Sequence, residues 1–433
     1  GTAIFEGAVS VSGTMDIAGN TSVGGTLFTT GKATFDDAVS VSGSLHVLGG
    51  TTVVGATHLQ STVSVGGAAT FASTVTVVDN AVFTADIVKK TAGTSNFAAG
   101  VNAGDSIESG GNYNVAVGDE AGTALTTGDN NTFVGYAAGD AQTTASNNVA
   151  VGQNALGANT TGTNNVAIGT GAVATCTDSG NHLVGIGYQA LAAAADSQFC
   201  VAIGKDAGLS ITSGDSNVLI GYHAGDAVTT GASNVIIGTA AGGAQTTASE
   251  NVIIGNNAAN ALTTGGQSIY IGDNAAASGI ITGIRNVVVG DNALYSVVGG
   301  GGNIAIGYAS GNAVTSGDNN TLVGTASGDA ITTGANNVAI GNDAGGAITT
   351  ASGALCLGQL AGNNLTTGGG GNAIYLGQGS QASAADVGGH EVVIGPGTAK
   401  GANSVFVVAG GSVFKGDNGT AWAQTSDRRI KKD

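Results

Sequence analysis

A glycine returns at intervals of 17 to 19 residues through most of the chain, and this period restricts the fold more than any other feature. The repeat around it reads NNVAIGxxAGxAxTTGx, and twelve of the sixteen intervals are 17 residues. Such a period is typical of solenoids, in which each repeat forms one coil that stacks on the next. The seventeen marker glycines are Gly118, Gly135, Gly152, Gly169, Gly187, Gly204, Gly221, Gly238, Gly255, Gly272, Gly290, Gly307, Gly324, Gly341, Gly358, Gly377 and Gly395.

Aliphatic residues precede each marker glycine in a fixed pattern. The residue before it is always Val, Ile or Leu, and the residue three before it is Val, Ile, Leu or Thr. Side chains two residues apart on a strand share one face, so we expect this pair to point inward from a short strand. The third residue after the glycine is always small, as at Ala121, Ser327 and Thr398. This predicts that a second wall or a neighbouring chain approaches closely there.

Two polar positions also recur from coil to coil. Asn stands four residues before the marker glycine in eleven copies, beginning with Asn114 and Asn131. Stacked Asn side chains predict a ladder of hydrogen bonds along the solenoid. Thr-Thr pairs recur at nine coils, as at Thr126 and Thr127. We interpret them as turn or interface residues, and an ice-binding row of hydroxyls is the alternative.

A longer period shows that the array has been duplicated. The five marker glycines from 187 to 255 return 103 residues later, from 290 to 358. TTGGQSIYIG (263–272) likewise returns as TTGGGGNAIYLG (366–377). Because each coil contacts only its neighbours, the number of coils can change at little cost. The duplication therefore favours a spacer of adjustable length.

The N-terminal part follows a different, six-residue period. Stepping by six from Ala3 and from Phe5 gives fourteen hexads with mostly apolar residues at both positions. Each hexad predicts one short strand, and three hexads predict one triangular turn. One chain coiling on itself and three intertwined chains fit this spacing equally well. The hexads occupy 1–85 and form the predicted triangular shaft.

Three further segments follow the hexads. We expect a joint at 86–95, which contains KKTAGTS (89–95), and a β-roll with 17-residue coils at 96–410. NFAAGVNAG (96–104) looks like one weak additional copy of the repeat. A tip and junction occupy 411–433.

Composition and charge exclude several classes of protein. The chain has 78 Gly but only one Pro, which excludes collagen, and its 9% of charged residues is low for a globular enzyme. A net charge of −17 argues against a nucleic-acid partner. No apolar run is long enough for a membrane-spanning helix, so we expect no membrane insertion. Three scattered cysteines, Cys176, Cys200 and Cys356, predict small buried thiols.

No constellation of residues predicts an enzyme active site or a cofactor. The five histidines share no ligand spacing, and no GxSxG or GK[ST] motif occurs. Aspartates recur at glycine-rich corners, as at Asp129, Asp215 and Asp318, and again five residues after marker glycines, as at Asp140 and Asp226. We interpret them as solvated corner residues, and a bound structural cation such as calcium is the alternative. We therefore expect no cofactor and no enzyme activity on other molecules.

The NNVAIGxxA unit, over roughly 96–410, resembles the head repeats of trimeric autotransporter adhesins. That resemblance implies a left-handed β-roll in a bundle of three identical chains. The sequence AWAQTSDRRIKKD (421–433) resembles the entry to the intramolecular chaperone auto-processing domain of phage tail fibres and tailspikes. This second resemblance implies self-cleavage between Ser426 and Asp427, assisted by Lys431, after the trimer has formed. A basic solvated tail is the alternative.

Aromatic residues concentrate near the C-terminal end, at Phe406, Phe414 and Trp422. Aromatic side chains at a fibre tip can bind sugars or other receptors. They can equally form an apolar plug over the last coil, because solenoid ends need caps. We keep both interpretations.

Together these observations predict an all-β, homotrimeric β-solenoid fibre. We expect a tail fibre or tailspike shaft of a tailed virus, located on the virion outside the cell. Its expected partners are two identical chains, other virion tail proteins and a host surface glycan or protein. The alternatives are a bacterial trimeric surface adhesin and a monomeric β-solenoid that binds ice or calcium.

Overall fold

The computed structural model describes residues 3–12, 15–17, 21–23, 27–29, 33–35, 92–177, 181–367, 372–384, 390–398, 405–409, 412–416 and 423–424. These residues form short strands, turns and bends without a helix, so the all-β prediction is confirmed for them. It follows that no apolar membrane-spanning helix is found in that part of the chain. The chain divides into two compact units, Gly1–Ala81 and Val82–Asp433.

Nearly all of the strands are only two or three residues long. The strands are β1 (Ala3–Phe5), β2 (Val9–Val11), β3 (Met15–Ile17), β4 (Thr21–Val23), β5 (Leu27–Thr29), β6 (Ala33–Phe35), β7 (Phe97–Ala99), β8 (Val115–Val117), β9 (Thr132–Val134), β10 (Val149–Val151), β11 (Val166–Ile168), β12 (Val184–Ile186), β13 (Val201–Ile203), β14 (Val218–Ile220), β15 (Val235–Ile237), β16 (Val252–Ile254), β17 (Ile269–Ile271), β18 (Val287–Val289), β19 (Ile304–Ile306), β20 (Thr321–Val323), β21 (Val338–Ile340), β22 (Leu355–Leu357), β23 (Ile374–Leu376), β24 (Ser380–Gln381), β25 (Val392–Ile394), β26 (Gly397–Thr398), β27 (Val405–Ala409), β28 (Ser412–Gly416) and β29 (Ala423–Gln424).

The first unit contains β1 to β6, which pair in parallel with partners eighteen residues away. β1 pairs with β4, β2 with β5 and β3 with β6. Eighteen residues equal three hexads. The rest of the predicted shaft and joint, from 36 to 91, lies outside the described residues. The hexad shaft as a whole and its winding therefore stay a prediction.

The second unit is a parallel β-solenoid with one strand per coil. From β7 to β23, and then through β25 and β27, each strand pairs in parallel with the strand of the next coil. The register is regular, since Val218 lies opposite Val235 and Val235 opposite Val252. The predicted solenoid with 17-residue coils is confirmed. The weak copy at 96–104 also forms a coil, which begins with β7.

The marker glycine ends each strand because no other residue fits there. At Gly221 the backbone angle φ is 137°, which L-residues rarely adopt. A Cβ atom at this position would lie 2.5 Å from the carbonyl oxygen of Gly238 in the next coil. The chain therefore turns a corner after three strand residues, and adjacent coils approach backbone to backbone.

The strands turn the opposite set of side chains toward the core from the set that the sequence predicted. In β14 the central residue, Leu219, is fully buried, whereas Val218 and Ile220 are half-buried and point away from the core. The same pattern recurs from β8 to β23. The prediction that the two flanking aliphatic residues face inward was wrong. The flanking pair forms the outer face of the sheet instead.

The core of the coil is narrow, which explains the small residue three positions after the marker glycine. Ala224 and Ser327 are fully buried, and the Ser327 hydroxyl donates a hydrogen bond of 2.6 Å to the carbonyl oxygen of Ala339. The predicted close second wall is confirmed, and it belongs to the same chain. Thr398, in β26, is an exception because it is exposed.

The predicted Asn ladder is confirmed. Asn234 is buried, and its Oδ1 accepts a hydrogen bond of 3.1 Å from the backbone N–H of Asn251 in the next coil. Its Nδ2 donates to the Ala248 carbonyl at 3.0 Å and to the Oδ1 of Asn217 at 3.0 Å. The ladder satisfies polar groups that the narrow core buries, and it holds successive coils in register.

The parallel stack ends in antiparallel pairing. β27 pairs with β28, and β28 with β29, both antiparallel. A second small sheet, β24 with β26, lies on the last two coils before β27. The hairpin continues the hydrogen bonding of the last parallel strand, whose edge would otherwise stay unpaired.

Candidate functional site

The largest unusual surface of the solenoid is the outer face of its sheet. We define the outward stripe as the first and third residues of β7 to β23 and of β25. It forms two parallel rows of aliphatic side chains with a few Thr and no charged residue. One row is Phe97, Val115, Thr132, Val149, Val166, Val184, Val201, Val218, Val235, Val252, Ile269, Val287, Ile304, Thr321, Val338, Leu355, Ile374 and Val392. The other is Ala99, Val117, Val134, Val151, Ile168, Ile186, Ile203, Ile220, Ile237, Ile254, Ile271, Val289, Ile306, Val323, Ile340, Leu357, Leu376 and Ile394.

Most of these side chains are half-buried, and seven isoleucines among them are more than a third exposed. Ile340 is 41% exposed and Ile306 is 39% exposed. Eighteen strands at ~4.8 Å spacing make the stripe about 80 Å long, and two rows about 7 Å apart make it about 10 Å wide. Its area is therefore on the order of 800 Å², which matches one partner's share of a standard protein interface. Isolated soluble proteins rarely expose an apolar patch of this size.

A purely parallel sheet normally has both of its faces covered. The inner face of this sheet is covered by the second wall of its own coil, through Ala224 and its equivalents. Within the described part of the chain, the outward stripe carries no such layer. The stripe is therefore the candidate functional site, and the chemistry that it offers is apolar association.

Sequence reasoning missed this face because alternation fixes which residues share a face but not which face is buried. Asn234 and Ile236 share one face of their strand, and Val235 and Ile237 share the other. We assigned burial to the more uniform aliphatic pair. The recurring Asn residues indicated the correct face. Their side chains bond from coil to coil inside the solenoid, so the strand residue that shares their face must also point inward.

The corner aspartates bond neighbouring coils to each other. One Oδ1 atom in each accepts a backbone N–H of the preceding coil, at 2.7 Å for Asp129, 2.8 Å for Asp215 and 2.8 Å for Asp318. Ser249 does the same through its Oγ, at 3.0 Å from the nitrogen of Ala232. No cluster of three or more His, Cys, Asp or Glu suited to a metal ion occurs among the residues that the structure describes.

The second group of aspartates, five residues after the marker glycines, is half-buried. Burial raises the pKa of Asp140 above its ordinary range, with a smaller contribution from Glu120. Burial also raises the pKa of Asp329. Asp226 differs, because its Oδ2 lies 2.7 Å from Nδ1 of His223.

In each Thr-Thr pair described here, the first threonine bonds to the next coil and the second is exposed to solvent. The hydroxyl of Thr229 donates a hydrogen bond of 3.1 Å to the Thr246 carbonyl of the next coil, and Thr332 bonds to Thr349 in the same way. The second residue, as at Thr230, is exposed. Each pair therefore presents one solvent-facing hydroxyl per coil.

The three cysteines are buried thiols, as predicted. Cys356 is the central residue of β22, and burial raises its pKa to about 12. Cys200 takes the place of Asn in the ladder, and its sulfur lies 3.5 Å from the backbone nitrogen of Asn217.

A buried carboxylate near the end of the solenoid was not anticipated. Glu391 occupies the Asn position of its coil and accepts hydrogen bonds from the Tyr375 hydroxyl at 3.0 Å and from the backbone nitrogen of Ser383 at 3.1 Å. The Ser383 hydroxyl bonds to its other oxygen. Burial, followed by the charge of Glu391, raises the pKa of Tyr375. This cluster satisfies a buried charge and closes the last coils.

The predicted residues at the C-terminal end lie mostly outside the described residues. These are Ser426, Asp427, Lys431 and Trp422, whose roles stay predictions. The two phenylalanines fall on neighbouring strands without being register partners. Phe406 of β27 lies opposite Lys415, and Phe414 of β28 lies opposite Val407.

Compared with known proteins, the chain matches no family model, no curated protein and no solved structure.

Proposed function

We propose that this chain is a structural segment of a homotrimeric attachment fibre of a tailed virus, in which the outward stripe is the contact between chains. The observation that carries the proposal is the uncovered apolar face of a parallel sheet, about 80 Å long. Covering it removes apolar side chains such as Ile340 from water along the whole solenoid.

The partner that fits the stripe best is a second copy of the same chain. A partner must present apolar side chains at the same coil spacing over the full length of the stripe. An identical chain in parallel register meets this condition at every coil, including those where the interval is 18 or 19 residues instead of 17. Closed symmetry then makes every copy equivalent.

The number of three chains rests on the resemblance of the NNVAIGxxA repeats to trimeric autotransporter heads. A bacterial trimeric surface adhesin fits the same stripe and is the second candidate. The resemblance of 421–433 to an auto-processing junction favours the viral fibre. In that reading Ser426 and Lys431 act only in cutting the chain before Asp427, and no other catalysis is proposed.

The role of such a fibre is mechanical. Repeated coils give a stiff spacer whose length follows from the number of coils, as the 103-residue duplication indicates. We propose that it attaches to other virion tail proteins and presents a host-binding surface outside the cell. Phe406, Phe414 and Trp422 are the candidates for a receptor-binding tip.

The oligomeric state tests the proposal directly. Native mass measurement should give three times the 41.1 kDa of one chain. Ile340→Lys puts an unpaired ammonium group into the proposed interface and should shift the chain toward monomers, because such burial costs several kcal/mol. Thr333→Lys adds the same charge at an exposed corner and should leave the trimer intact.

A wild-type chain that stays monomeric at micromolar concentration, while keeping its β-sheet circular dichroism, would refute the trimer. A trimer that Ile340→Lys and Thr333→Lys disturb equally would show that the outward stripe is not the contact. Purified trimer that competes with virus for host cells would separate the viral fibre from the bacterial adhesin.

A further inference from the structure

A cluster of exposed aromatic and charged side chains stands on three successive coils, outside the outward stripe. The residue directly after each marker glycine lies at a corner of the coil. Three neighbouring corners carry Tyr188, Lys205 and Tyr222. The two tyrosines are 48% and 50% exposed. Lys205 Nζ lies 5.8 Å from the centre of the Tyr188 ring and 5.2 Å from that of Tyr222, so the cation sits between two rings.

A buried carboxylate holds this lysine in place. Asp206 is only 5% exposed, and its Oδ2 lies 2.8 Å from Lys205 Nζ. The same oxygen lies 3.5 Å from Nε2 of His223, whose Nδ1 lies 2.7 Å from Asp226. The hydrogen bond to Asp206 raises the pKa of Lys205, so the side chain stays charged. The cluster therefore fixes a cation and two rings at the surface.

The arrangement is not needed for folding. Oδ1 of Asp206 is buried without a partner in the protein, which is unfavourable for stability. The duplicated block provides an internal comparison, because 103 residues later Asp206 and His223 are replaced by Ala309 and Ala326. The core beneath is retained, since Leu219 and Leu322 are both fully buried.

The corner residues themselves also differ between the two blocks. In the second block, 103 residues later, the three corners carry Asp291, Tyr308 and Thr325 in place of the two tyrosines and the lysine. The coil thus folds with or without the cluster. A costly polar arrangement that the fold does not require points to a function at the surface.

We propose that Tyr188, Lys205 and Tyr222 form a lateral binding site for a neutral oligosaccharide that lies along the solenoid axis. The two rings are two coils, about 10 Å, apart, and about half of each tyrosine side chain is exposed and can contact the apolar faces of sugar rings. Lys205 lies between them, and the ammonium hydrogens that Asp206 does not take can donate to sugar hydroxyls. The inference deepens the proposed attachment function and rests on it for its biological meaning.

Charge and size select this class of ligand. The net charge of −17, together with Asp206 and Asp226 beside the lysine, disfavours an anionic ligand. A patch of two rings and one cation on a single row of corners is far smaller than the ~800 Å² that a stable protein interface buries per partner. A slender, uncharged, hydroxyl-rich chain fits both conditions.

The test uses the full chain on a printed array of neutral and acidic oligosaccharides, followed by calorimetry with the neutral oligosaccharide that binds best. Tyr188→Ala and Tyr222→Ala should each weaken that binding about tenfold, which corresponds to about 1.4 kcal/mol. Tyr308→Ala removes an exposed corner tyrosine in the second block and should leave the affinity unchanged. Circular dichroism should be unaltered in all three variants, because each side chain is exposed.

Binding to no neutral oligosaccharide, or only to acidic ones, would overturn the inference. So would an affinity that Tyr188→Ala and Tyr222→Ala leave unchanged, or a protein ligand whose binding these variants abolish. The outcome is separable from that of the proposed function. If the Tyr222→Ala trimer blocks virus adsorption as well as the wild-type trimer does, the proposed fibre is supported and the lateral site is refuted. If a monomeric chain binds sugar and the tyrosine variants lose that binding, the lateral site is supported and the trimeric fibre is refuted.

Discussion

Removing one rung of the Asn ladder should destabilise the solenoid locally. Asn234→Ala leaves the backbone N–H of Asn251 without its acceptor and removes one donor from the carbonyl of Ala248. A buried polar group that loses its only partner costs about 1–3 kcal/mol. Only the Asn251 N–H is left in that state, since the Ala248 carbonyl still accepts a hydrogen bond of 2.7 Å from Nε2 of Gln245. Global unfolding of a stacked repeat is not a single two-state transition, so the change must be measured coil by coil.

Amide hydrogen exchange gives that local resolution. The protection of the Asn251 amide should fall about 30-fold, which corresponds to about 2 kcal/mol. Asn256→Ala is the matched control, because the exposed side chain of Asn256 bonds to the side chain of Asp273 at 3.1 Å and to no buried group. Its effect should stay within about 0.5 kcal/mol. Unchanged protection at Asn251, or an equal loss in both variants, would refute the view that the ladder stabilises the stack.

Three further predictions address the corner, the core and the half-buried acids. Gly221→Ala should lower thermal stability sharply, because its Cβ would lie 2.5 Å from a carbonyl oxygen, while Gly299→Ala, with open space at that position, should be nearly neutral. Cys356 should resist alkylation at pH 8 in the native chain and react once the chain is denatured, as mass spectrometry would show, because its pKa is about 12. Asp140 has a folded-state pKa above its unfolded value, so its ionisation favours unfolding as pH rises. Asp140→Asn should therefore raise the melting temperature at pH 7 and have little effect at pH 3, and the opposite order would contradict the assignment.

The sequence was sufficient for the coil but not for its outer face. The spacing of the marker glycines predicted the solenoid, and the stacked Asn residues predicted the ladder, because both follow from one position repeated at a fixed interval. The prediction of the buried face was wrong. The pattern assigned Val218 and Ile220 to the core, whereas Leu219 between them is the buried residue. Burial depends on what lies above and below a sheet, and a two-residue alternation leaves that open.

The lateral site was invisible for a related reason. Tyr188, Lys205 and Tyr222 carry no motif, and only the stacking of three coils brings them together. The signal that was present in the sequence is their replacement in the duplicated block. Comparing a repeat with its own copy separates the residues that the coil requires from those that one surface uses.

The ladder of asparagines also gives the stack a direction. In every rung, the side-chain oxygen of one coil accepts the backbone N–H of the following coil, as Asn303 does for Asn320. The edge of each coil therefore presents one fixed side-chain acceptor to the next stretch of chain, beside its backbone N–H and C=O groups. Such a coil is a template for the next one, because the acceptor that fixes the register of the incoming chain is already in place.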